Sequence, residues 1–267
     1  MAKFFRKQRA NLLANNKLGA YLKYALGEII LVVIGILIAV GINNMNIRNK
    51  NQKQELKILN QLLVEYESNL LEINEKIKMR NLIMSSVEKL IAYADQGITD
   101  SDLDSVSFHL GRTKYDPTFD PANGVTTELL NSGKFYLIQN EALKSHLTSW
   151  SGAVDELAEQ EELTARFVYE QYVPYLIENF DHLSIRTSQN DSKMDQLYTK
   201  GEAKKLNVPR TISKEVLETI LADQSVQNYF IFIGRLSQAG NSQSLDTKEK
   251  IESILSTIRE ELDSDRF

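Results

Sequence analysis

Three histidines, His109, His146 and His182, are the only imidazoles in a chain of 267 residues that has no cysteine. Without thiols, disulfides, Cys-ligated zinc and thiolate nucleophiles are excluded. The histidines stand too far apart for the His-Glu-x-x-His spacing that puts two zinc ligands on one helix face. Glu178 and His182 are four apart, but a lone pair falls short of a zinc site and reads as an exposed contact near a helix end. Asp100-x-Asp102-x-Asp104 copies the first three ligand positions of a calcium loop. The sixth and twelfth positions should then be Gly and Glu, and they are Ser105 and Gly111. Carboxylates opening a helix, where they complement its positive end, account for the cluster better. Gly-rich phosphate loops, nucleophile elbows and kinase signatures are missing too. The chain therefore reads as non-enzymatic, with no catalytic residues, metal or cofactor expected.

One charged residue stands out by its position. From Leu56 the apolar spacing alternates three and four through Leu59, Leu63, Tyr66, Leu70, Ile73, Ile77, Arg80, Met84, Val87, Ile91 and Ala94. Such a heptad seam belongs to a long helix, and Arg80 alone interrupts it. Its side chain either snorkels to the surface or forms a buried pair with an acidic neighbour. The positions flanking the seam hold Asn60, Asn74, Asn81, Leu62, Ile83 and Leu90 more often than the opposite charges of a two-stranded coiled coil. Leu62, Ile83 and Leu90 widen the stripe on one side, so an intramolecular bundle is favoured over a dimeric zipper, with a homo-oligomer still possible. Tyr115, Phe119, Phe135, Tyr136 and Trp150 surround a turn-rich stretch; core packing is favoured for them over the lining of a small-molecule pocket.

What would position this helix is upstream. Ile29 to Ile42 is an uninterrupted apolar run, and counting back to Tyr24 extends it to the length of a membrane span with Glu28 near one end. Tyr21 and Tyr24 fall where an interfacial aromatic belt would, and Lys17 and Lys23 can snorkel. A cleaved signal peptide is the alternative, since Ala39-Val-Gly41 resembles a cleavage site. The long basic region ahead of the run, and its passage into helix-compatible sequence, favour an uncleaved anchor. Gly35 and Ala39 form a small-xxx-small pair that could let two anchors approach, although small residues are ordinary in spanning helices.

Charge is divided unevenly. Residues 1–57 carry ten Lys/Arg against Glu28 and Glu55, whereas the rest carries 21 against 34 carboxylates. A basic end beside an apolar run suits anionic lipid, and Phe4, Phe5, Leu12 and Leu13 among the basic residues would suit a helix lying on a membrane surface. An acidic body argues against nucleic acid. Six Lys/Arg precede the run and four (Arg48, Lys50, Lys53 and Lys57) follow it, but within about 20 residues of its ends the count is three against four, which decides nothing; a cytoplasmic amino terminus is the expectation adopted.

Lys3-Phe-Phe-Arg6, Tyr21-Leu-Lys-Tyr-Ala-Leu-Gly-Glu28 and the apolar run through Ile42-Asn-Asn44 resemble a family of single-anchor Gram-negative bacterial proteins known only as a domain of unknown function. That family usually continues with a Trp and an acidic residue, where this chain has Met45 and Ile47. A weaker echo is Glu128-Leu-Leu-Asn-Ser-Gly-Lys134 followed by Ile138-Gln-Asn-Glu-Ala-Leu143. The resemblance implies an inner-membrane protein with an outward helical domain, and supplies no activity.

Downstream, a helix is expected over 139–180 with Leu143, Leu147, Trp150, Val154 and Leu157 on one face, kinked or split at Pro174. Others are expected at 101–111, at 213–238 opened by Ser213 with Glu215 in the first turn, and at 247–262 with Ile251, Leu255, Ile258 and Leu262 aligned. Gln96-Gly97 should end the long helix. Asp116-Pro, Asp120-Pro and Asn123-Gly are turn signals, and 184–208 reads as a polar loop. Tyr229-Phe-Ile-Phe-Ile-Gly234 reads as buried helix rather than strand.

The whole is an all-α chain: a basic arm (1–26), a transmembrane helix (27–44), a stalk and heptad helix (45–97), and a helical bundle body (98–267) packing with 56–94. The expected role is a membrane-anchored interaction or scaffold protein of the bacterial inner membrane. Its amino terminus would be cytoplasmic, its body periplasmic, and its partners the lipid bilayer and another envelope protein. The second reading is a ligand sensor passing a piston or rotation through one helix to a separate partner.

Overall fold

The computed structural model describes residues 18–181 and 213–264. The amino-terminal part of the basic arm, the 184–208 loop and His182 lie outside them. The chain divides into two compact units, Met1–Lys57 and Ile58–Phe267. Every regular element among the described residues is helical.

Helix α1, Leu18–Gln96, supplies residues to both units. In the first unit its apolar side chains are left exposed all round the helix, Leu31 at 72% and Leu37 at 64%. An 18-residue window there has a mean hydropathy of 2.8 with none of it buried. By length and composition it could cross a membrane, as a spanning segment or as a signal sequence.

In the second unit α1 ends at Gly97, whose φ of 78° is the left-handed cap conformation that glycine adopts freely. A 3-10 turn, Asp100–Asp102, leads into α2, Leu103–Arg112. An extended stretch then reaches α3, Gly124–Asn131, and a 3-10 turn, Phe135–Leu137. Next come α4, Glu141–Thr148, and α5, Trp150–Phe167. A π turn, Val168–Tyr172, precedes α6, Val173–Asn179. Helices α7, Lys214–Ala222, and α8, Gln224–Ser264, complete the unit.

The helix expected over 139–180 is interrupted near Pro174, as that residue allows, and also at Ser149, giving three helices. At the first break the Ser149 hydroxyl donates to the carbonyls of Ser145 (3.0 Å) and His146 (3.2 Å), a back-bonding that bends helices. At the second, Pro174 has no N–H for the carbonyl four residues back, and the π turn just before it widens the backbone where the ring would clash. The carboxy-terminal part departs the other way. Helix α7 opens on Ser213, which accepts from the Val216 amide, but it ends at Ala222. The helices expected at 213–238 and 247–262 therefore give way to a short α7 and one continuous α8. Asp223 caps α8 by accepting from the Val226 amide at 2.9 Å. The Tyr229–Gly234 segment is helical as expected; Phe230 and Ile233 face inward, while Ile231 and Phe232 are exposed.

Helices α1 and α8 run antiparallel, as Glu67–Arg259 (2.8 Å), Asn81–Asn241 (2.8 Å) and the close approach of Gly234 to Val87 show. Two apolar clusters lie along them. One gathers Met79, Ile83, Val87 and Leu90 of α1 with Tyr172, Leu217, Phe230 and Ile233. The other gathers Leu59, Leu62, Tyr66 and Ile73 with Phe119, Leu147, Trp150, Ile251 and Ile258. Burial of such side chains, about 1.5–3 kcal/mol each, is what drives the helices together.

Candidate functional site

Between those clusters, along both α1 and α8, the interior turns polar. Arg80 is 3% exposed. Its Nη1 donates to Ser244 Oγ at 2.6 Å, and its Nη2 donates to the Pro117 carbonyl at 2.9 Å and to Glu161 Oε1. The other Glu161 oxygen accepts from the Phe119 amide at 2.9 Å. Of the two readings for Arg80, the buried pair is the one the fold adopts, with Glu161 of α5 as the acid. Space for the guanidinium comes from Gly240 of α8: a Cβ there would meet Arg80 Nε at 3.0 Å and Cδ at 3.3 Å.

Asp116 belongs to the same layer. Burial pushes its carboxyl up to about 6 against the opposing pull of Arg80. Glu161 is also raised above the ordinary carboxylate range by burial, which outweighs the Phe119 amide and Arg80, and Asp116 adds repulsion. The Tyr169 phenol is raised by burial and then by the charge of Asp116.

Helix α1 also clasps the extended stretch between α2 and α3. Glu65 accepts from the Val125 amide at 2.6 Å, the Thr126 amide at 3.0 Å and the Thr126 hydroxyl at 2.6 Å, filling the open donors of α3's first turn. Asn69 pairs both ways with the Ala122 backbone at 2.8 Å, and Glu72 accepts from the Asp120 amide. The backbone ahead of α3 and in its first turn is thereby satisfied by side chains from one helix face. Glu65→Ala should lower stability by about 1–3 kcal/mol, because buried donors lose their acceptor. A reduced urea midpoint, read from the fluorescence of Trp150, is the expected result.

The heptad residues divide into two groups. Leu59, Tyr66, Ile73, Arg80 and Val87 are buried, whereas Leu56, Leu63, Leu70, Ile77, Met84 and Ile91 are half-buried. The centre of the buried stripe instead takes Leu62, Asn69, Ile83 and Leu90. Asn69 explains the displacement: it is buried to hold the Ala122 backbone, a task that apolar spacing does not register. Gly35 and Ala39 lie on α1 in the first unit, exposed, with open space around the Gly35 Cα.

The aromatics also separate. Phe119 and Trp150 are core, with Trp150 edge-on to Tyr66 at 5.2 Å. Phe135 and Tyr115 pack partly buried against the two clusters, and Tyr136 is exposed. His109 is buried with Nδ1 3.0 Å from Ser86 Oγ. His146 lies in a groove of about 350 Å³ between α4, α5 and α8 that also includes Glu156, Gln243, Asp246 and Lys250. Asp102 accepts from the amide and hydroxyl of Thr99, which hold its carboxyl below the usual range, and Asp100 lies 3.3 Å from Lys214. Both thus act as helix-opening carboxylates.

Sequence reasoning missed Glu161, Asp116, Glu65, Ser244 and Gly240. A signal for Glu161 existed: Leu147, Trp150, Val154 and Leu157 continue to 161 at the same three-four spacing, which puts a carboxylate on an apolar face. Helix α8 holds the same clue, since Val226, Phe230, Ile233, Ser237, Gly240, Ser244, Thr247, Ile251, Ile254 and Ile258 form one buried three-four series with a polar middle.

An all-helical fold, with one exposed apolar stretch and a buried ionic layer, defines the class of this protein. The chain belongs to the family of unknown function DUF6090, which it matches over residues 28–170. That match contains the apolar stretch, Arg80, Asp116 and Glu161. It also contains the 128–143 echo, where Gly133 takes a φ of 69° and Asn140 caps α4 by accepting from the Leu143 amide. No curated protein matches the chain, and no solved structure does.

Proposed function

We propose that this is a single-pass protein of the bacterial inner membrane, with its amino terminus cytoplasmic and its acidic helical body periplasmic, where it binds another envelope protein as a tether or scaffold. The observation carrying this reading is the run from Ile29 to Ile42. Its side chains are exposed on every face of α1, and apolar surface of that extent needs a solvent other than water. The six Lys/Arg ahead of the run suit the anionic lipid of a cytoplasmic leaflet.

The body is braced from within. Its buried guanidinium donates to a serine, a backbone carbonyl and a carboxylate of the protein itself, an arrangement that holds helices in register. Cross-linking in intact cells followed by purification in mild detergent tests the reading. A reproducible second membrane or envelope protein is expected, and repeated recovery of the chain alone would contradict it.

A further inference from the structure

We propose that the groove between α4, α5 and α8 is a binding site for a small organic cation rich in N–H donors, of the alkylamine or guanidine class. Its volume of about 350 Å³ falls at the lower end of the range for small-molecule sites. Both long walls carry acid: Glu156 on α5, and Asp246 and Glu249 on α8. None of these three carboxylates has an ion pair or hydrogen bond with another described residue. Among the described residues no three His, Asp or Glu side chains come close enough to share a metal ion. The acids are therefore spread for an elongated cation rather than gathered for a bare one. Leu157, 1% exposed, and Ala153 give the groove an apolar side that suits methylene groups.

Hydrogen bonding narrows the ligand further than charge does. Gln243 lines the groove, and its Oε1 is buried with no described residue donating to it. A buried acceptor left in this way calls for a donor from outside the chain. The two hydroxyls of the lining have committed their protons within α8. Thr247 donates to the Gln243 carbonyl and Ser253 to the Glu249 carbonyl, each at 2.9 Å. Lys250 donates to the Ser149 carbonyl at 3.0 Å. His146, at the α4 edge, accepts or donates according to its tautomer. What the groove offers is thus mainly acceptors: carboxylates, an amide oxygen and hydroxyl lone pairs. Ammonium and guanidinium groups bring only donors together with the opposite charge, whereas an anion would set acceptor against acceptor.

The test uses the full chain in a non-ionic detergent at low salt, titrated calorimetrically with hexamethylenediamine and with hexamethonium. The two probes share chain length and charge, but only the diamine carries N–H groups. The diamine should bind saturably and about tenfold or more tighter than hexamethonium, because charge-assisted hydrogen bonds separate the two. Gln243→Met removes an unpaired acceptor at similar volume. It should fold with a urea midpoint no lower than that of the wild type, yet weaken the diamine by on the order of tenfold. Asp246→Asn, at an exposed position, should weaken it similarly. Glu252→Gln alters an acid of α8 outside the groove, paired with Lys248, and should leave binding unchanged. No saturable binding up to about 10 mM diamine, equal affinity for the two probes, or wild-type affinity in Gln243→Met and Asp246→Asn would overturn the proposal. So would an equal loss in Glu252→Gln, the mark of a general attraction of cations to an acidic body. A lowered urea midpoint in Gln243→Met would also overturn it, since the amide oxygen would then already be paired within the chain.

Discussion

Arg80→Met is expected to destabilise the body by about 3–5 kcal/mol, the usual cost of removing one partner of a buried ion pair. The substitution nearly preserves volume but strands Glu161, already raised by burial, along with Asp116, the Pro117 carbonyl and Ser244. Urea melts at pH 7.5 should show it directly. Pairing it with Glu161→Leu should recover much of the loss, since well-packed apolar groups often replace an entire buried ion pair at little cost. A loss below about 1 kcal/mol for the single variant would mean that Arg80 reaches water and behaves as a surface charge.

The second large effect is expected in the apolar stretch. Ile36 sits near the middle of the proposed span, 27–44, and Ile36→Arg places a charge where insertion costs roughly 2.5–3.5 kcal/mol. The fraction of the chain that resists alkaline extraction from membranes should fall sharply. Asn44→Lys, at the end of the span, should leave it almost unchanged because the side chain reaches the headgroups. Equal extraction of both variants and the wild type would argue that the stretch does not cross a bilayer.

The fold was legible in the sequence where apolar spacing carried it. The long helix, its end at Gly97, the Ser213 cap and the all-helical class all follow from periodicity and capping residues. Spacing failed wherever a buried residue is polar for a reason outside its own helix. Asn69 is inside because the Ala122 backbone needs it, and it completes the row of Leu62, Ile83 and Leu90 that had already widened the stripe. Gly240-Asn-Ser-Gln-Ser244 resembles a break between helices. Its small residues are instead what let α8 continue past the guanidinium of Arg80.

The layer itself was half legible. Arg80 announced itself by interrupting a seam, whereas Glu161, which extends another at the same spacing, was missed. Their pairing became clear only once α1 and α5 were brought together, because residue spacing within a helix does not encode which helix it meets. The partner side of the proposed function has no comparable signal, since surface residues that dock another protein obey no internal period.

The most direct measurement uses the absence of cysteine. Ser264, exposed near the end of α8, is replaced by Cys, and intact cells with a permeabilised outer membrane are treated with a maleimide that does not cross the inner membrane. Ala2→Cys and a lysed sample serve as controls. The account predicts labelling of Ser264→Cys before lysis and of Ala2→Cys only after it. Labelling of Ser264→Cys only after lysis would place the body in the cytoplasm and contradict the proposed topology.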